Sequence, residues 1–202
     1  MGFFDRFKGK KAPGPAPMGK VPLDQQISTL ADLGIKAKHA DIEGRVDSEW
    51  GTETAESDPY NLLLFVLGSE DEEGGTLSDD IYVFDTECVE EEDIYQRIFT
   101  RLSVLSKGAF SQITGHTDHE RERSSVSFDL GGKRYDWDLE YESDWFDVGS
   151  IGRLNRLLEK NGSAEFFFTA SPDQNLFVIF TDQKTADALN DLVSEPFFMA
   201  GG

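Results

Sequence analysis

The stretch SSVSFDLGGKRYDWDLEYE, residues 124–142, decides the fold class. Gly131-Gly132 is the kind of dipeptide that a two-residue hairpin loop requires, because such a loop holds adjacent residues at positive φ. With that loop, Leu130 faces Lys133, Phe128 faces Tyr135 and Val126 faces Trp137. Leu139 and Tyr141 extend the same apolar side. Ser125, Ser127, Asp129, Arg134, Asp136, Asp138, Glu140 and Glu142 fall on the other. A slip of one residue would turn the carboxylates inward, so pattern and turn chemistry select one register.

Downstream, Asp144-Trp145-Phe146-Asp147 leads into a helix with Ser150 as N-cap and Ile151, Leu154, Leu157 and Leu158 on its buried face, ended by Asn161-Gly162. Ala164–Ala170 and Leu176–Thr181 read as strands, and Asp182 caps a last helix carrying Ala186, Leu189 and Val193. Phe197-Phe198-Met199 is a hydrophobic tail suited to folding back on the core.

Upstream, Ile94, Tyr95, Ile98, Phe99, Leu102 and Leu105 make a wide helical stripe stopped at Gly108. Glu90, Glu91, Glu92 and Asp93 are expected in that helix's first turn, at the positive end of its dipole. Phe110–Thr114 reads as a strand and His116–Arg123 as a charged loop. Tyr60–Leu67, an unbroken apolar run after Pro59, is expected to be a buried strand paired with Ile81–Phe84 across an acidic connection. Residues 35–58, with Trp50 among Gly, Thr, Asp and Glu, read as a loop with a brief helix or strand, and Ile27, Leu30 and Leu33 describe a short helix ended by Gly34.

The expected class is α+β, with antiparallel strand pairs each followed by a helix (ββα units) and a short N-terminal helix. The units would span roughly residues 60–106, 124–161 and 164–193. The chain divides into a basic tail and Pro/Gly linker (1–20), an N-terminal α+β part (21–107) and a C-terminal ββα-ββα part (108–202). A single continuous domain over 21–202 is the alternative.

The 202 residues carry a formal charge of −20, unevenly placed. Residues 1–20 hold Arg6, Lys8, Lys10, Lys11 and Lys20 against Asp5, a net +4, so the rest of the chain carries −24. Such a body repels nucleic acid and anionic membranes and attracts basic proteins. Cys88, the single cysteine, excludes an intramolecular disulfide, and the acids after it disfavour a thiolate. No run is apolar enough to span a bilayer, and a reducing cytoplasm is the expected location. Phe3, Phe4 and Phe7 with their lysines offer a weak membrane-surface contact through residues 1–11.

Catalytic chemistry finds little support. His116-Thr117-Asp118-His119-Glu120 gathers potential metal ligands, but it matches neither the helical HExxH arrangement nor its inverted HxxEH form, and it stands beside Arg121 and Arg123. Glu70–Gly75 shares only composition with a calcium loop. The carboxylates of the hairpin alternate toward solvent, whereas a catalytic acid needs shielding to raise its pKa. Gly149-Ser150-Ile151-Gly152 is not a nucleophile elbow. No enzymatic activity, metal or cofactor is expected.

The remaining chemistry is binding. Asp136, Asp138, Glu140, Glu142, Asp144, Trp145 and Asp147 combine a row of charge with an aromatic anchor, the complement of a basic protein. The leading expectation is a non-enzymatic module of the bacterial immunity or antitoxin type, occluding the basic cleft of a toxin such as a nuclease or deaminase. A DNA-mimicking regulator and a membrane-adjacent adaptor tethered by its tail are the alternatives; neither involves direct contact with nucleic acid.

Overall fold

The computed structural model describes residues 19–39, 41–71 and 74–202, so the expectations for the basic tail lie outside the described residues. In chain order the elements are α1 (Leu23–Asp32), α2 (Ile42–Glu49), α3 (Thr52–Ser57), α4 (Asn61–Gly68), β1 (Ile81–Asp85), α5 (Ile94–Leu105), β2 (Phe110–Asp118), β3 (Arg123–Leu130), β4 (Lys133–Leu139), α6 (Gly149–Lys160), β5 (Phe166–Ala170), β6 (Asn175–Thr181), α7 (Gln183–Asn190) and β7 (Phe198–Met199). All strand pairs are antiparallel, and the class is α+β.

The hairpin takes the register that its pattern dictates: Leu130 opposes Lys133, Phe128 opposes Tyr135 and Val126 opposes Trp137. Gly131 and Gly132 both sit at positive φ, 60° and 76°. Val126, Phe128, Leu130 and Leu139 are buried on the inner face. There Phe128 meets Trp137 edge-on at 4.8 Å and stacks with Tyr135 at 5.7 Å. The hairpin is not alone, however. β2 runs on to Asp118 and pairs with β3, giving a three-stranded meander β2-β3-β4. His116 therefore lies in a strand and not in the expected loop, which shrinks to the turn before Arg123.

The other sheet has the order β1-β6-β5-β7. Its side chains alternate between two cores. Ile81, Val83, Phe168, Phe177 and Ile179 belong to one, with α1 to α4 and α7. Tyr82, Phe167, Leu176 and Val178 belong to the other, with α5, α6 and the meander. The molecule is thus layered as helices, four-stranded sheet, α5 with α6, and meander. A sheet covered on both faces must be apolar at successive positions, as Leu176-Phe177-Val178-Ile179-Phe180 is.

Other expectations are corrected or refined. Residues 61–68 form helix α4 and not a strand, so β1 has no partner there and pairs instead with β6, Ile81 opposite Ile179. The unit expected over residues 60–106 therefore lacks its strand pair, whereas β3-β4-α6 and β5-β6-α7 keep the expected order of two antiparallel strands and a helix. Within residues 35–58 the brief element expected in the loop is two short helices, α2 and α3. Helix α5 begins at Ile94, so Glu90–Asp93 precede it, with Glu91 paired to Arg97. Helix α7 ends at Asn190, while Val193 lies beyond it and is still fully buried. The tail does fold back: β7 pairs with β5, Phe197 is buried and Phe198 is 65% exposed.

Buried and half-buried carboxamides tie these layers together by taking the place of backbone partners. Asn155 of α6 receives the Phe167 N–H at 2.8 Å and donates to the carbonyls of Phe167 and Ala200. Gln26 of α1 donates to the Val21 and Ala55 carbonyls and accepts from Tyr60 N–H at 2.8 Å. Asn190 exchanges both bonds with the Phe197 backbone.

Two stability outcomes follow. Asn155→Leu strands the buried Phe167 N–H and is expected to cost about 1–3 kcal/mol, read as a lower urea midpoint at unchanged slope. Alanine at Gly131 or Gly132 is expected to cost roughly 1–2 kcal/mol for the left-handed backbone. The Gly131→Ala loss should be the larger, because its Cβ would collide with Asn161 Oδ1. An Asn161→Ala background should remove that excess.

Candidate functional site

Asp136 and Asp138 stand on the outer face of β4, opposite Ser127 and Ser125, and both are exposed. Carboxylates two apart on a strand point the same way at a spacing of about 6.6–6.8 Å. Glu140 and Glu142 continue the chain past the end of β4, also exposed. β4 is the edge strand of the meander, so this row lines its open margin.

The row is less uniform than its sequence implies. Arg134 sits on the same face, 3.2 Å from Asp129 and 3.9 Å from Asp136. It also donates to the Gln112 carbonyl and to Thr114 Oγ1, which fixes it across the sheet. Asp136 accepts a further bond from Ser127 Oγ at 2.6 Å. Among the described residues, Asp138, Glu140 and Glu142 have no ion-pair partner. The negative character of the site therefore concentrates at the β4 exit.

Asp144, Trp145 and Asp147 lie in the connection to α6 and are partly buried. Their backbone zips onto residues 86–89: Val89 N–H donates to the Asp144 carbonyl and Phe146 N–H to the Thr86 carbonyl, both at 2.7 Å. Trp145 forms backbone bridges with Glu87 and Glu142. The Asp147 carboxylate accepts from Ser150 N–H and Glu140 N–H, each at 3.2 Å, and its own N–H donates to Tyr95 Oη at 2.9 Å. Asp147 thus does the capping expected of Ser150, which lies inside α6 and donates its hydroxyl to the Asp147 carbonyl. Gly152 of the same motif permits close packing: a Cβ there would lie 2.7 Å from Gly201 Cα.

Two cations near the site were not singled out from sequence. Arg134 neutralises part of the row, and Arg153 of α6 stacks 4.2 Å over Trp137 while donating to the Asp138 carbonyl. Arg134 was legible as a cross-strand neighbour of Asp129; Arg153 depends on how α6 docks.

The other candidate groups are dispersed. His116 lies 4.0 Å from Glu92, and His119 Nδ1 is 3.2 Å from Tyr141 Oη. The Arg121 N–H and guanidinium hold the Asp118 carboxyl below the usual range. Among the described residues no cluster of three or more His, Cys, Asp or Glu is disposed to hold a metal ion. Burial, reinforced by Asp85, pushes the Cys88 thiol up to about 12. No helix of the described residues is long and apolar enough to cross a membrane.

Two clefts lie elsewhere. One of about 440 Å³ is lined by His39, Asp41, Arg45, Ser48 and Leu77. The other, about 340 Å³, lies among Trp50, Leu62, Phe65, Phe177, Asp58 and Glu195. Sequence did not bring its aromatic members together, because Trp50 lies in a stretch read as a loop with one brief element and residues 60–67 read as a strand.

Comparison of the chain with protein families, with curated proteins and with solved structures gave no match.

The double acceptance by Asp147 yields a direct test of its structural part. Asp147→Ala is expected to cost about 1 kcal/mol, the usual range for loss of a cap, measured by denaturant unfolding. Asp138→Ala, which removes no hydrogen bond made by its carboxylate among the described residues, should leave stability within about 0.5 kcal/mol of the original.

Proposed function

We propose that the chain is a non-enzymatic, acidic protein-binding module of the bacterial immunity or antitoxin type, working in the cytoplasm. It binds a basic protein through the outer margin of the meander and blocks that partner's substrate-binding cleft. The observation that supports this reading is the exposed group Asp138, Glu140 and Glu142, free of countercharge among the described residues and carried on a stiff scaffold. Phe128, Tyr135 and Trp137 pack beneath the strand, so its carboxylates need little ordering on binding. Fixed negative charge speeds encounter with a cationic surface and selects against acidic ones.

The contact has two parts. Asp136, Asp138, Glu140 and Glu142 supply long-range attraction, with Asp136 weakened by Arg134. Asp144, Trp145 and Asp147 form the adjoining shoulder, whose half-buried indole offers apolar area beside the charge. The interruption by Arg134 favours a partner with its own mixed pattern over one built for an unbroken row of phosphates. That makes a dedicated protein partner a better fit than DNA mimicry.

Changing Asp136, Asp138, Glu140 and Glu142 to Lys together is expected to lower the association rate with a basic partner by about tenfold or more and to flatten its salt dependence. Partner captured from the source cells at low salt, then followed by stopped-flow mixing, provides the measurement. Unchanged kinetics would remove this surface from the account. Displacement by nucleic acid from several unrelated binders would point to a DNA mimic instead.

A further inference from the structure

We propose that the cleft at Trp50 is a binding site for a small quaternary ammonium molecule, a free cation of the choline type. This goes beyond the acidic margin, which belongs to the meander on the other side of the four-stranded sheet. The walls of the cleft are aromatic and set at an angle. Trp50 meets Phe65 edge-on, with ring centroids 5.8 Å apart and planes at 82°, and Phe65 lies 6.3 Å from Phe177 at 47°. Trp50 is 45% exposed, so its indole is open to a ligand. The volume of about 340 Å³ falls at the lower end of small-molecule sites.

Three features select the chemistry of the occupant. The first is the corner that Trp50 and Phe65 make. The face of an aromatic ring carries negative potential, that of indole most of all, and rings near a right angle bound a corner with a face on each side. The second is charge. Asp58 lines the cleft and is exposed, its carboxylate accepts from the neutral Asn61 Nδ2 at 2.7 Å, and among the described residues it has no ion-pair partner. Asn61 Oδ1 in turn accepts the Ser194 N–H at 3.2 Å, which ties the turn bearing Asp58 to the chain after α7. The formal charge of −20 adds a field that concentrates cations at the surface. The third is the apolar remainder of the lining, with Leu62, Pro172 and Phe177. A bare ammonium or metal ion would give up its water there for a single carboxylate. A methylated ammonium has no N–H to satisfy, and its methyl groups pack on the ring faces while its charge stays close to them. A neutral apolar ligand gains only the buried area.

Titration of the full chain, followed by the Trp50 indole N–H resonance, tests this with choline and with its neutral isostere 3,3-dimethyl-1-butanol at constant ionic strength. The resonance is identified by its loss in Trp50→Leu. Choline should move it saturably, and the isostere should bind at least about fivefold more weakly. Asp58→Asn should narrow that gap, weakening choline by about threefold and leaving the isostere unchanged. Glycine betaine, which adds a carboxylate to the same trimethylammonium group, should bind more weakly than choline. No saturable shift with choline overturns the proposal, as does equal affinity for the isostere. An Asp58→Asn variant that binds choline as tightly as the original also overturns it. Tighter binding of a trimethyllysine peptide than of choline would overturn the assignment to a free molecule in favour of a methylated protein side chain. The comparison of choline with its isostere uses the unaltered chain, so it decides the question whether or not a variant folds. Residues 136–147 are untouched throughout, so the outcome is independent of the partner kinetics.

Discussion

The pairing of β1 with β6 is the constraint on which the architecture rests. It joins Ile81–Asp85 to Asn175–Thr181, segments far apart in sequence, and encloses α5, the meander and α6 within one long loop. Closing such a loop costs chain entropy before any contact rewards it. Burial on both faces of the strands offsets that cost: Ile81 and Val83 enter one core, Tyr82 the other. Without this ladder α4 and α5 would lose β1, the strand that each packs against from opposite faces of the sheet.

Once the sheet is in place, its margins and the helical layer still carry backbone groups that no ladder or helix satisfies. Gln26, Asn155 and Asn190 meet that need with side chains that copy the donor and acceptor of a peptide. Each joins elements that are not neighbours in a ladder: α1 with the entry to α4, α6 with β5, and α7 with the entry to β7. Asp147 acts in a related way, receiving two backbone N–H groups at the turn between the meander and α6. Polar residues thus set where the layers meet, while the apolar ones supply the cohesion.

The hairpin was legible because its signals are local and period-specific. Gly131-Gly132 determines the turn, and the two-residue alternation then places every side chain. Tyr60–Leu67 was misread because an unbroken apolar run carries no period, and its length suits either element. The deciding clue was composition: Leu62, Leu63 and Leu64 favour helix, whereas Val66 is the one β-branched residue in the run. Helices α2 and α3 were legible only as a brief element within a loop because they are short and contain Gly44, Thr52 and Thr54, so packing holds them more than propensity. In the acidic site, the charge row could be read directly. The capping by Asp147, the neutralisation by Arg134 and the aromatic cleft at Trp50 depend on contacts between separate elements, which no local pattern encodes.

The position of β4 at the open edge of its sheet limits how anything can attach there. An uncovered edge strand is a template for further strands, and closely spaced charge is one of the ways natural sheets discourage such growth. Asp136 and Asp138 place that charge along the edge, and Arg153 already occupies the Asp138 carbonyl. Backbone-to-backbone extension of the meander is therefore disfavoured on the β4 side, for other proteins and for further copies of this chain alike. Contact at this margin is left to side chains, where shape and charge discriminate among partners in a way that a shared peptide backbone does not.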